Sequence, residues 1–247
     1  MADLSVAIIT RNEAANIRGC LESLAWAREI VVVDQFSEDG TPEAAASCGA
    51  TVFQETWHGF AEQKNIAVDR TTGPWVLSID ADERVTDSLR VEIETILGVD
   101  GPEDGYFIAR KNHFCGQWIR FGGWYPDYSL RLFRRDKGRF EERAVHEKVV
   151  VQGKVGYLKH PLEHFTYASV SDYLRRMERY SGLAAREMAR TGRRSRWHHL
   201  VLRPLFTFFK MYGLKLGFLD GRAGFFLAVS YAYYTFLKYY RLDSDPA

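Results

Sequence analysis

A chain of 247 residues, 46% hydrophobic and 26% charged, can bury a sizeable core and suits one large α/β domain with an appendage. Its three cysteines, Cys20, Cys48 and Cys115, are odd in number and lack metal-ligand spacing, which argues against a disulfide framework and a cysteine zinc site and for a reducing compartment. The net charge of +1 conceals an asymmetry: residues 1–100 carry 7 Lys and Arg against 18 Asp and Glu, whereas residues 193–247 carry 9 against 3. An acidic half of this kind needs a cation before it can hold an anionic nucleotide, and a basic, aromatic end suits an anionic surface.

The chain opens on MADLSVAIITRNE, which has no basic n-region and no cleavage site, so export is not expected. LSVAII (4–9), EIVVVD (29–34), ATVFQE (50–55) and PWVLSID (74–80) are short β-branched runs that read as buried parallel strands. Between them, Asn12 is placed to cap a helix carrying Ile17, Leu21 and Leu24. Thr41-Pro42 opens a second that Gly49 closes, and residues 60–69 form a third. Thr86 to Leu97 makes one more, with Leu89, Ile93, Ile96 and Leu97 on its apolar face. This alternation predicts a doubly wound, mainly parallel sheet.

From about residue 105, GYFIARKNHF, SLRLFRR and KVGYLKH follow without crossover helices and predict a mixed extension of the sheet. Residues 170–190 return to helical spacing through Tyr173, Met177, Tyr180 and Ala184, and 191–196 read as a hinge. Residues 197–241 are dense in Phe, Tyr, Leu and Trp, but their longest uncharged stretch, Ala223 to Leu237, falls short of a spanning helix. The expected domains are 1–168 for the catalytic sheet and 169–247 for a helical, membrane-interfacial appendage.

Ligands of a doubly wound sheet collect beyond the carboxyl ends of its strands. Four such ends carry or lead to polar residues: Thr10-Arg11-Asn12-Glu13, Asp34 through Thr41, Gln63-Lys64-Asn65 and Asp80-Ala81-Asp82-Glu83. Asp80 and Asp82, two apart where the strand runs out, can present both carboxylates to one side, a pairing that suits Mg²⁺ or Mn²⁺ shared with substrate phosphates. For Asp34 and Asp39 the plainer alternative is a strand-end turn or helix cap. Arg11, Glu13 and Lys64 could equally be surface pairs.

The order ITRNE, VVVDQFSEDGT, QKN and LSIDADE resembles the family-2 inverting glycosyltransferases of GT-A fold, over about residues 4–84. GGWYPDYSLRLFRR and AVHEKV are similar to the branch that includes lipopolysaccharide inner-core β-1,4-glucosyltransferases. The resemblance implies that Thr10, Arg11 and Glu13 line a nucleotide pocket, that Asp34 meets uracil, and that Asp39 sits near the base or ribose. It places Lys64 at the diphosphate, Asp80 by ribose and metal, and Asp82 as the firmer metal ligand. It also implies transfer of a hexose, glucose in that branch, from a UDP-sugar to an inner-core lipopolysaccharide sugar. The cationic, aromatic C-terminal segment suits helices lying in a bilayer interface, so the acceptor is expected to be lipid-linked and the enzyme cytoplasmic and peripheral on the inner face of the membrane. No nucleic-acid partner is expected.

Inverting transfer needs a general base, for which Asp127 is preferred and Glu147 competes. Trp118, Trp124 and Tyr125 are expected to wall the sugar around Asp127. His146 is a candidate third metal ligand, whereas His113, His160 and His164 read as structural. Within SLRLFRR, Arg131 is the expected inward arginine, facing the diphosphate or an anionic acceptor. Two rivals share some of these features: a nucleotidyltransferase, and a membrane adaptor that keeps a nucleotide-binding shell without catalysis.

Overall fold

The computed structural model describes residues 2–99, 101–141 and 148–244. Four strands form the parallel heart of the sheet: β1 (Ala2–Thr10), β2 (Ala27–Asp34), β3 (Thr51–Gln54) and β4 (Trp75–Ser78). The remaining strands are β5 (Glu83–Arg84), β6 (Gly105–Phe114), β7 (Gln117–Trp118), β8 (Asp127–Arg134), β9 (Gly138–Glu141), β10 (Lys148–Val151), β11 (Val155–Tyr157) and β12 (Leu162–Tyr167). Strand order is β3-β2-β1-β4-β8-β6-β12-β5, with β11 and β7 also on β6 and β9–β10 a separate hairpin. β4 meets β8 antiparallel, so the sheet turns mixed where the crossover helices stop.

The chain forms two compact units. One comprises Met1–Arg110 with Tyr128–His164, the other Lys111–Asp127 with Phe165–Ala247. A contiguous division at residue 168 is expected from the sequence. Instead residues 111–127 group with the C-terminal helices, because Phe114, Ile119 and Trp124 share a core with Tyr173, Met177 and Leu227.

In the first unit the strand period sorts side chains into two cores. Leu4, Val6 and Ile8 of β1 and Val32 of β2 face helices α1 (Ala14–Glu22), α2 (Thr41–Ser47) and α4 (Asp87–Leu97), packing with Ile17, Leu21, Leu89 and Ile93. Ala7, Val31 and Val33 face the other way, towards α3 (Phe60–Asp69) and the β9–β10 hairpin. Each such fully buried Leu, Ile or Val contributes about 1.5–3 kcal/mol. Thr86 caps α4 by accepting from the Leu89 N–H at 3.2 Å. Asn12 does not cap α1. It sits in the left-handed region at φ 55° and accepts from Glu38 N at 3.0 Å, while the cap comes from outside the helix: Asp39 Oδ2 accepts from Ala14 N at 3.0 Å.

Glu92 on α4 fastens the segment that leads into β12. Its carboxylate accepts from Lys159 N at 2.9 Å, from His160 N at 2.9 Å and from the His160 ring at 2.9 Å. Burial pushes the Glu92 carboxyl up, but those donors outweigh it and hold it below the usual glutamate value of 4.5. A depressed folded pKa stabilises the fold above the unfolded value, and that stability is lost as pH falls through the folded one. Glu92→Gln is therefore expected to cost about 1 kcal/mol at pH 7 in urea unfolding. The gap from the parent should close below pH 4.5; a gap that persists in acid would refute the assignment.

The second unit is built on α5 (Val170–Arg190), α6 (Trp197–Phe209) and α7 (Gly221–Ser244), with a π-helical turn at Lys210–Leu214 and a 3-10 turn at Gly217–Asp220. α5 buries Tyr173, Met177, Ser181 and Ala185 at helical spacing. α6 is strongly apolar and buries no residue. Among the described residues no helix is long and apolar enough to cross a membrane.

Candidate active site

Parallel register sets Thr10 of β1 opposite Asp34 of β2 at the carboxyl ends of both strands. Thr10 Oγ1 donates to Asp34 Oδ1 at 2.8 Å, and Ser37 donates to the same carboxylate through its N–H at 2.7 Å and its hydroxyl at 2.6 Å. Asp34 is fully buried and shapes the turn it begins. Asp39 accepts from the Thr41 hydroxyl and from Thr41 N, and Thr41 Oγ1 in turn accepts from Glu13 N at 2.8 Å. The Thr41 hydroxyl and the Ala14 N–H hold the Asp39 carboxyl below its usual range. Asn12 N, next to Glu13, donates to Ser37 Oγ at 2.7 Å and ties the Thr10–Asp34 and Glu13–Asp39 bonds into one loop cluster. Arg11 lies exposed beside it.

β4 ends at Ser78, two residues before Asp80, and the chain turns at once, with Glu83 N donating to Asp80 O at 3.0 Å. The alternation of an extended strand does not apply across this turn, so Asp80 and Asp82 meet different partners. Asp80 is held between Lys64 Nζ at 3.0 Å from Oδ1 and Arg131 Nη2 at 2.6 Å from Oδ2. Arg131 Nη2 also donates to Glu83 Oε1 at 2.6 Å, and Arg110 Nη1 lies 3.7 Å from the same oxygen. Burial would raise the Asp80 carboxyl, but Arg131 and Lys64 outweigh it and hold it well below the usual carboxylate range.

A crevice of about 320 Å³ opens here, lined by Lys64, Asp80, Arg110, Arg131 and Lys148 among others. Four cations against one lining carboxylate suit an anionic ligand such as a diphosphate. Arg131 does face inward, 3% exposed, whereas Arg134 pairs with Asp104 at 3.6 Å and Arg135 reaches Thr71 O at 3.3 Å.

Asp82 faces His164, whose Nε2 lies 3.4 Å from Asp82 Oδ2. β12 runs antiparallel to β5 with His164 opposite Glu83, which brings the imidazole to the acidic turn from 82 residues away in sequence. The sequence treats His164 as structural and gives Glu83 no role. The structure makes Glu83, 0% exposed, the anchor of Arg131 and of the Asp80 N–H at 2.9 Å. The only local hint was its place directly behind the D-x-D run. His160 does pair structurally, with Glu92, and the His113 ring stacks on Phe165. His146 and Glu147 lie outside the described residues.

In the second unit, Asn112 Nδ2 donates to Asp127 Oδ2 at 3.1 Å and to Trp124 O at 3.2 Å. Trp118 and Tyr125 pack edge to face at 5.5 Å. Trp124 is not part of a sugar wall with them. It is 8% exposed and sits in the core against Phe114 and Tyr167, because that core needs a large apolar side chain from this turn.

A Rossmann-like parallel half, a mixed extension and an acidic turn beside a lysine and an arginine define a sugar-nucleotide transferase of GT-A type. The chain belongs to glycosyltransferase family 2, described as "Glycosyl transferase family 2", whose profile matches residues 5–158. It is 34% identical over 246 residues to the lipopolysaccharide core biosynthesis glycosyltransferase LpsC of Rhizobium meliloti (strain 1021), covering 95% of this chain and 89% of that one. An uncharacterized glycosyltransferase of Rickettsia felis is 28% identical, over 98% of this chain and 90% of that one. Among solved structures, the mannosyltransferase PcManGT from Pyrobaculum calidifontis, in complex with GDP-Man and Mn²⁺, superposes with a TM-score of 0.57 at 16% identity. That match covers 99% of this chain and 88% of that one. This last likeness supports the fold alone; the family match makes the chain a glycosyltransferase.

Proposed function

We propose that this enzyme transfers a hexosyl group, glucose in our reading, from a UDP-sugar to a lipopolysaccharide inner-core saccharide, with inversion. The observation that carries the proposal is the Lys64–Asp80–Arg131 cluster, set at the end of β4 immediately before Asp82 and His164. The acceptor class is supported by the 34% identity to LpsC over nearly the whole chain. Thr10, Arg11, Glu13, Asp34 and Asp39 form the nucleoside end of the donor site, and Lys64 and Arg131 its diphosphate end.

The residues present fit a hard divalent ion. Asp82 and His164 would hold it, with Asp80 beside the ribose; among the described residues no group of three His, Cys, Asp or Glu can enclose a metal, so substrate oxygens would complete the shell. When bound, Mg²⁺ or Mn²⁺ supplies neutralisation of charge on the departing diphosphate. Lys64 and Arg131 supply the same service from the protein. Asp127 takes the proton of the acceptor hydroxyl as its oxygen bonds to the anomeric carbon and the bond from that carbon to the diphosphate breaks. Glu147 is the competing base.

The exposed apolar residues of α6 and α7, with Trp197 at 73% and Phe206 at 61%, support peripheral attachment to the inner face of the cytoplasmic membrane, where a lipid-linked acceptor is met. Family membership favours sugar transfer over a nucleotidyltransferase or a non-catalytic adaptor. Incubation with UDP-sugars and Mn²⁺ should release UDP slowly, fastest from one donor. Pyrophosphate release, or binding without turnover once acceptor is supplied, would reverse the reading.

A further inference from the structure

A second crevice, of about 280 Å³, lies wholly within the C-terminal unit, among Gly123, Trp124, Phe206, Lys210, Lys215 and Tyr231. Hydrogen bonds tie down the turn that leads into it. Asp220, 6% exposed, accepts from Arg120 N at 3.1 Å and Phe121 N at 2.8 Å, and Gly122 N donates to Lys215 O at 2.9 Å. Gly123 has φ +87°, and a Cβ there would come within 2.3 Å of Lys215 Nζ. The missing side chain is what lets the Lys215 amine lie against the turn.

The polar character of this crevice is one-sided. Lys210 and Lys215 are linked across the π-helical turn, Lys215 N donating to Lys210 O at 2.8 Å, and both line the cavity. Neither has an ion pair among the described residues. Trp124, more than nine-tenths buried, has an indole N–H with no partner among the described residues. Ammonium groups donate only, so the two lysines call for a ligand rich in acceptors. Phe206, which lines the crevice, is 61% exposed, and Leu202 and Phe209, four residues before and three after it on α6, are 56% and 63% exposed. Two ammonium groups beside exposed apolar side chains complement an anionic headgroup that carries an acyl chain.

We propose that this crevice seats the phosphate of an anionic amphiphile between Lys210 and Lys215, with its chain along the exposed face of α6. Resting on the lipid-linked acceptor reading above, the amphiphile is the phosphate-bearing lipid anchor of the acceptor. Asn112 gives the site its use: one amide holds both the Trp124 carbonyl and the Asp127 carboxylate, so an anchor bound here docks on the loop that bears the proposed base.

Calorimetric titration of the intact protein tests this, with dodecyl phosphate below its micellar concentration, inorganic phosphate and dodecyl maltoside as probes. Dodecyl phosphate should bind saturably and more tightly than the other two. Lys210→Gln with Lys215→Gln should weaken it at least about tenfold, since the phosphate loses both of its charge-assisted partners. Arginine at both positions should restore it. Both lysines are exposed, so these variants keep the fold. Unchanged affinity in the glutamine variant, or inorganic phosphate binding as tightly as dodecyl phosphate, overturns the proposal. Sedimentation with phosphatidylcholine–phosphatidylglycerol vesicles separates it from the membrane reading. Vesicle binding without dodecyl phosphate binding sinks the crevice and spares the membrane, and the reverse outcome does the opposite.

Discussion

Asp82→Asn is expected to lower kcat by roughly 10²–10³, because charge neutralisation by a bound metal contributes several kcal/mol to a transition state that expels a diphosphate. Asparagine keeps the size of the side chain and loses its charge. The Asp82 side chain is 20% exposed and, among the described residues, its ion pair is with His164, so the fold should change little, within the 0–1 kcal/mol of a partly exposed pair. The melting temperature should therefore stay close to that of the parent while turnover collapses. His164→Ala should raise the Mn²⁺ concentration needed for half-maximal activity by about 10–100-fold. Wild-type turnover in Asp82→Asn would remove Asp82 from the metal site, and an unchanged metal requirement in His164→Ala would do the same for the histidine.

Asp127→Asn should cost about 10²–10⁴ in kcat with the KM for the UDP-sugar little changed, because a general base acts on the acceptor in the transition state and not on the donor in the ground state. Asparagine can still accept from Asn112 Nδ2, so the loop geometry survives the change. The matched measurement is Glu147→Gln. If the glutamine variant is dead and Asp127→Asn turns over normally, the base is Glu147. Donor hydrolysis without acceptor offers a control, since a fall confined to acceptor transfer separates loss of the base from damage to the donor site.

Much of the first unit is legible from residue type and period alone. The β-branched runs ended within two residues of the observed strands, and the rule that ligands gather at strand carboxyl ends selected Thr10, Asp34, Asp39 and Asp80. Those signals are local: strand period, helix spacing and the polar residues that follow each run. Even so, the sequence could not say that Asp39 caps α1 from another loop, because an unsatisfied helix N–H accepts any nearby oxygen regardless of its place in the chain. Trp124 misled for a related reason. An aromatic residue in a glycine-rich loop suits a sugar wall or a core equally, and only its neighbours decide.

The sequence by itself determined the four parallel strands and the helices of residues 2–97, the acidic character of residues 1–100, and which carboxylates and lysine follow the strand ends. These follow from interactions within a few residues, where side-chain type and period suffice. Tertiary structure alone decided that Asp80 is clamped by Lys64 and Arg131, that Glu83 anchors that clamp, that His164 stands at Asp82, and that two lysines share a crevice with Gly123. Each of these joins residues brought together by strand pairing or helix packing across long stretches of chain. Their energy comes from a register that no local pattern encodes.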